Sequence, residues 1–162
     1  MADGISGDGG GIRILCMDDE EMFLALLSDC LTSWGYEALT ASDVSRGLDL
    51  FYRIRPGAVL LDLMMPGISG LDVLAEISAA SPETPLIVIS ATGNISDVIG
   101  ALRLGAWDYI RKPMESADIL GLSLEKALQK AALLRENRLN REKLEGLVEK
   151  RTHDLRESES RF

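Results

Sequence analysis

The residues of this chain whose types could do chemistry together are Asp18 and Asp19, Asp62, Ser90 and Lys112. Each stands at or just past the end of an apolar run. Asp18-Asp19-Glu20-Glu21 follows Ile12-Arg13-Ile14-Leu15-Cys16-Met17, and Asp62 follows Ala58-Val59-Leu60-Leu61. Ser90 closes Leu86-Ile87-Val88-Ile89, and Lys112 comes shortly after Trp107-Asp108-Tyr109-Ile110. A carboxylate amid so much apolar surface is costly unless a cation, a hydrogen bond or a reaction justifies it. Capping the next helix does not account for Asp62, because Ser69 stands closer to Leu71, Val73, Leu74 and Ile77 and suits that role better. Three carboxylates meeting at one point repel each other unless a hard cation sits among them. Magnesium is the natural candidate, since it binds through one or two carboxylates and leaves positions open for phosphate oxygens.

The elements that must bring these residues together are legible from apolar spacing. After a Gly-rich start, residues 12–17 read as a buried strand. Helical spacing follows at Met22, Leu26, Leu27, Cys30, Leu31 and Trp34, and Gly35 is a fitting stop. Residues 36–40 predict a second strand, and residues 44–53, closed by Pro56-Gly57, a second helix. The third unit pairs residues 58–61 with a helix over about 70–80. The fourth pairs residues 86–90 with a helix over about 96–104. A fifth strand over 107–110 precedes Lys112-Pro113 and a final helix. Five alternating strand and helix units imply an α/β fold, a doubly wound parallel sheet with right-handed crossovers. In such a sheet the active residues collect at the carboxyl ends of the strands, where all five candidates fall. Singly, each has an ordinary reading: an acidic helix start for Asp18-Asp19-Glu20-Glu21, a strand-end hydroxyl for Ser90, a solvated charge for Lys112. Jointly those readings would need five coincidences at one sheet edge.

In order and spacing, Asp18-Asp19-Glu20, Leu61-Asp62-Leu63-Met64-Met65-Pro66-Gly67-Ile68-Ser69-Gly70, Ile89-Ser90-Ala91 and Tyr109-Ile110-Arg111-Lys112-Pro113 resemble the receiver domain of the two-component response regulators over roughly residues 12–125. The resemblance implies a flavodoxin-like sheet of order 2-1-3-4-5 and phosphorelay signalling. Asp62 would take a phosphoryl group from a histidine kinase or phosphotransfer protein, forming an aspartyl phosphate. Asp19 and Asp62 would hold Mg2+ with the backbone carbonyl of Met64, while Asp18 acts through a water. Lys112 and Ser90 would each meet a phosphoryl oxygen, with Ser90 and Tyr109 as the switch pair and a cis Lys112-Pro113 bond. Ser90 stands where the family more often has threonine, which keeps the hydroxyl. Met64 and Thr92 lie at positions that tune phosphate loss, and Met64 offers no group to orient water, so that loss is expected to be intermediate to slow. The implied protein is a phospho-accepting regulator, not an enzyme acting on a separate substrate.

Beyond the domain, residues 119–156 contain no proline and only Gly121 and Gly146, far longer than a fifth helix requires. Leu120, Leu124, Ala127, Ala131 and Leu134 alternate steps of four and three, and Leu144, Val148 and Leu155 resume an apolar line. That imperfect heptad, with a register change near Arg138, predicts a coiled-coil linker over 126–162 and a parallel homodimer. The face of the fourth helix, fifth strand and fifth helix is the second expected dimer surface. The end of the chain resembles the helix that leads into a PAS sensor domain, so the protein is expected to continue into one. Residues 1–11 are expected to be a flexible tail.

Composition bounds the rest. With 162 residues, 46% of them hydrophobic, the chain can bury a real core. No stretch is long and apolar enough to span a membrane, and the N-terminus lacks the pattern of a signal peptide, so a cytoplasmic protein is expected. Cys16 and Cys30 agree with that, as thiols rather than a disulfide. Residues 1–120 hold 7 Lys and Arg against 18 Asp and Glu, which argues against nucleic-acid binding by this chain. Two rival readings are a phosphotransfer protein using His153, the only histidine, and a magnesium-dependent phosphatase using Asp62. The first lacks the apolar helix and proline expected after its histidine. The second wants a general acid where Met64 stands.

Overall fold

The computed structural model describes residues 11–160. The expected tail over 1–11 falls, except for Gly11, outside the described residues, as do the last two residues of the expected terminal helix. The elements run β1 (Arg13–Met17), α1 (Glu21–Ser33), β2 (Glu37–Ala41), α2 (Val44–Ile54), β3 (Ala58–Leu61), α3 (Gly70–Ala80), β4 (Leu86–Ser90), α4 (Ile95–Leu104), β5 (Asp108–Arg111) and α5 (Ala117–Ser160). All four strand pairs are parallel, in one sheet of order β2-β1-β3-β4-β5. This is the expected doubly wound, flavodoxin-like arrangement with an extended C-terminal helix. β2 starts one residue later than its sequence pattern suggests, because the Tyr36 amide is spent closing the end of α1 on the Leu31 carbonyl at 2.9 Å.

The strands alternate between two apolar layers, as a twofold side-chain period requires when both faces are covered. Leu15, Met17, Val59, Leu61, Leu86 and Val88 face one layer, where Phe51 of α2, Leu74 of α3 and Ala101 of α4 meet them. Ile14, Cys16, Leu60, Ile87, Ile89 and Ile110 face the other, against Leu24, Leu27 and Leu31 of α1 and Leu120, Leu124 and Ala127 of α5. Burying a side chain of this size is worth about 1.5–3 kcal/mol. Among the described residues no buried side-chain polar atom lacks a hydrogen-bond partner.

The chain divides into two compact units, Met1–Leu128 and Gln129–Phe162. Leu120, Leu124 and Ala127, which the heptad reading places on a partner-facing seam, are buried in the second apolar layer of the first unit. In the second unit Ala131 is still buried, and from Leu133 on the apolar residues Leu133, Leu134, Leu139, Leu144, Leu147, Val148 and Leu155 are exposed. Among the described residues no helix is long and apolar enough to cross a membrane.

Candidate functional site

The order of the strands decides where the site lies. The chain leaves β1 for β2 on one side and later returns to lay β3 on the other, so a crevice opens beyond the carboxyl ends of β1 and β3. Their register pairs Met17 with Leu61, and the next residues on each strand are Asp18 and Asp62. The Asp62 amide donates to the Met17 carbonyl at 2.9 Å and the Asp18 amide to Ala41 at 3.1 Å, so both backbones are anchored to the sheet just before their side chains leave it.

Asp62 is only 4% exposed. One of its oxygens, Oδ1, accepts the Met64 amide at 2.9 Å and the Ser90 hydroxyl at 3.1 Å, and Oδ2 faces the Lys112 ammonium at 3.3 Å. The loop that permits this turns tightly. Gly67 has φ +98°, a left-handed conformation that strains other residues. Gly70 opens α3 so close to Leu63 that a Cβ would lie 2.3 Å from the Leu63 carbonyl oxygen. Ser69 occupies the N-cap position of α3, but its hydroxyl makes no cap bond; its carbonyl accepts the Asp72 and Val73 amides instead.

The two neighbouring aspartates separate in character. Asp18 is buried, accepts the Glu20 amide at 2.9 Å and lies 2.5 Å from Lys112, whereas Asp19 is exposed. Oxygen atoms of Asp18, Asp19 and Asp62 lie within 4.8 Å of one another, a group that could hold a metal ion. Three carboxylates against a single nearby ammonium leave an excess of negative charge on hard oxygen donors, which fits a small divalent cation. Burial pushes the Asp18 carboxyl above its usual range, against the lowering effect of its bonds to Lys112 and Glu20. Burial alone would pull the Lys112 ammonium down, but its bond to Asp18 and the charges of Asp62 and Asp18 outweigh that and hold it above the ordinary lysine value.

Lys112 reaches the cluster from the end of β5, where its amide donates to the Ser90 carbonyl at 3.0 Å and its bond to Pro113 is cis. The Tyr109 hydroxyl donates to the Thr92 carbonyl at 2.8 Å, and the Thr92 hydroxyl donates to Asp97 at 2.8 Å. Tyr109 is half-buried beside the first apolar layer. Ser90 is fully buried and its hydroxyl already rests on Asp62. All five residues picked out by position along the chain, Asp18, Asp19, Asp62, Ser90 and Lys112, thus converge. His153 lies in the second unit, exposed on α5, 3.3 Å from Glu157 one turn on.

Two neighbours of the ammonium escaped sequence reasoning. Glu20 Oε1 lies 3.7 Å from Lys112 Nζ, and the Phe23 ring centre lies 4.3 Å from it. Along the chain Glu20 stands at the N-cap of α1 and Phe23 in its first turn, and that local pattern carries no signal for an ammonium arriving from β5.

Comparison with known proteins bears on the same residues. The family model described as the response regulator receiver domain matches residues 14–122. Regulatory protein AtoC of Escherichia coli is 36% identical over 126 residues, 78% of this chain and 27% of that protein. The probable transcriptional regulator ycf27 of Galdieria sulphuraria is 41% identical over 107 residues, 66% of this chain and 42% of that protein. The chain thus spans less than half the length of these relatives. The crystal structure of a response regulator receiver domain protein from Clostridium thermocellum superposes with a TM-score of 0.72 at 34% identity, over 76% of this chain and 98% of that one.

Proposed function

The chain belongs to the response regulator receiver domain family, and from that premise we propose that Asp62 is the residue on which it takes its phosphoryl group. Receiver domains of this family are phospho-accepting regulators in two-component phosphorelays and work with histidine kinases or phosphotransfer proteins. The observation that carries the assignment is the setting of Asp62: a buried carboxylate at a strand end, with one oxygen held by the Met64 amide and the Ser90 hydroxyl and the other by Lys112. Phosphoryl transfer asks little covalent work of a protein beyond an aligned nucleophile and neutralisation of the phosphoryl oxygens. An Asp62 oxygen forms a bond to phosphorus as the P–N bond of a phosphohistidine breaks, and the imidazole leaves with that electron pair and takes a proton. Lys112 then meets a phosphoryl oxygen as a point charge. Ser90 shifts its hydroxyl from Asp62 to a second one.

Asp19, Asp62 and the backbone carbonyl of Met64 would hold Mg2+, with Asp18 acting through a water. In support, the Asp18 oxygens are engaged by the Glu20 amide and Lys112, while Asp19 is exposed beside them. When bound, the ion supplies positive charge to the phosphoryl oxygens.

Movement of Ser90 changes what the β4–α4 loop rests on, and the Tyr109 bond to the Thr92 carbonyl is the contact that reports it. The output surface is the face of α4, β5 and the start of α5, where Ile95, Ile99, Leu102, Ile119 and Leu122 are exposed. Homodimerisation there and along the apolar line of the second unit switches a downstream domain, in keeping with relatives that run well beyond this match. Loss of phosphate is slow to intermediate, since Met64 offers no polar side-chain group and the Thr92 hydroxyl is spent on Asp97.

Incubation with Mg2+ and a small phosphodonor, read by intact mass and by light scattering, tests this. The wild type gains one phosphoryl group and associates, and Asp62→Asn does neither. No gain by the wild type defeats the assignment, and a phosphate half-life of seconds defeats the lifetime.

A further inference from the structure

We infer that Phe23 is a positioning residue for phosphoryl transfer, holding the Lys112 ammonium against its ring. The inference rests on the reading of Lys112 as the phosphoryl partner and adds a group from α1 to that site. Phe23 is half-buried and packed on the second apolar layer, so its ring is anchored by the core. Lys112 Nζ sits 4.3 Å from the ring centre, well inside the distance at which a cation is drawn to an aromatic face. The lysine side chain is only 9% exposed, and a desolvated cation feels that attraction more strongly than one in water.

Three carboxylates compete for the same ammonium, at 2.5 Å from Asp18, 3.3 Å from Asp62 and 3.7 Å from Glu20. When Asp62 becomes an acyl phosphate its carboxylate charge is replaced by that of the phosphoryl oxygens, and the ammonium must pass to one of them instead. Asp18 and Glu20 keep their charge and keep pulling, and Glu20, 65% exposed, pulls towards solvent. The ring opposes that drift. It attracts the ammonium without adding a negative charge that would repel the incoming phosphoryl group. Glu20 is the N-cap residue of α1 and Phe23 lies in its first turn, so the start of the helix supplies both the pull and the restraint.

The test uses the whole chain with Phe23→Leu, which keeps an apolar side chain but removes the ring, and Phe23→Tyr, which keeps the ring. Phosphoramidate with saturating Mg2+ gives the phosphorylation rate, Mg2+ titration gives the ion's affinity, and NMR gives the Lys112 ε-methylene shift. Phe23→Leu is expected to phosphorylate roughly five-fold more slowly. Its Mg2+ affinity is unchanged, and the ring-current displacement of the Lys112 ε-methylene protons disappears. Phe23→Tyr restores both the rate and the displacement. A wild-type rate in Phe23→Leu, an unchanged Lys112 shift in that variant, or an equal fall in Phe23→Tyr overturns the inference. A wild type that takes no phosphate while its Lys112 shift is displaced defeats the phosphoacceptor reading, not the ring contact.

Discussion

The early turns of α5 and its later ones are built from similar residues and do different things. Leu120, Leu124 and Ala127 are buried beneath the sheet, at 0%, 0% and 7% exposure, while Leu144, Leu147 and Leu155 are more than half exposed. The difference teaches that an apolar stripe is a request for a partner and not a description of one. In the first unit the sheet answers it, and the layer so formed holds β1, β3 and β4, whose ends carry the acidic cluster. In the second unit, from Leu133 onward, the stripe is exposed.

The largest effect expected from setting the two units against each other concerns chemistry. Asp62→Asn abolishes phosphoryl gain entirely, whereas a chain ended after Leu128 gains phosphate as the full chain does, with mass spectrometry as the readout. Loss of uptake on shortening would show that the second unit helps to build the site.

Stability should divide the two stripes almost as cleanly. Leu124→Ala removes a fully buried side chain from the second layer and is expected to cost about 2–5 kcal/mol in urea unfolding. Leu147→Ala, 55% exposed, stays within about 0.5 kcal/mol. Self-association is its expected readout instead. A destabilising Leu147→Ala would mean that the later stripe belongs to the fold.

A smaller effect is expected within the site. Ser90→Ala removes a buried donor to Asp62, a bond worth about 1 kcal/mol, and is expected to slow phosphorylation about five-fold without unfolding the chain. A wild-type rate would leave Ser90 as structural only.

The smallest concerns alkaline stability of the sheet. Burial first, and the Asp18 charge second, push the Cys16 thiol up to about 12 from 9.0. A pKa raised on folding contributes stability that is intact below the unfolded value and is lost as pH climbs towards the folded one. About 1 kcal/mol should go between pH 9 and 10. Cys16→Ala removes that slope, which unfolding midpoints at the two pH values measure. A cysteine introduced by Leu147→Cys reacts with thiol reagents at pH 8 while Cys16 does not.

Much of the fold was legible because its periods are local. Alternating apolar runs and helical stripes set nine of the ten elements to within a residue or two, α5 running four residues past the 119–156 stretch read for it, and β3, α3 and β4 needed no adjustment. Residues placed just past buried strands had to emerge along one edge of a parallel sheet, which is why Asp18, Asp62, Ser90 and Lys112 could be picked out before their contacts were known. Neighbours across the fold were less legible. Asp18 and Asp19 are identical and adjacent, and only packing buries the first beneath Lys112 and exposes the second. Phe23 reads along the chain as one more apolar helix residue, and only the approach of β5 lays an ammonium on its ring.

By itself the sequence determined the alternation of strands and helices and the edge at which the carboxylates gather, since these follow from hydrophobic period and chain order. Tertiary structure alone decided which aspartate pairs with Lys112, how Ser90 and Tyr109 spend their hydroxyls, and where the stripe of α5 passes from core to surface. Those outcomes depend on distances between residues far apart in the chain, and no local pattern carries a distance.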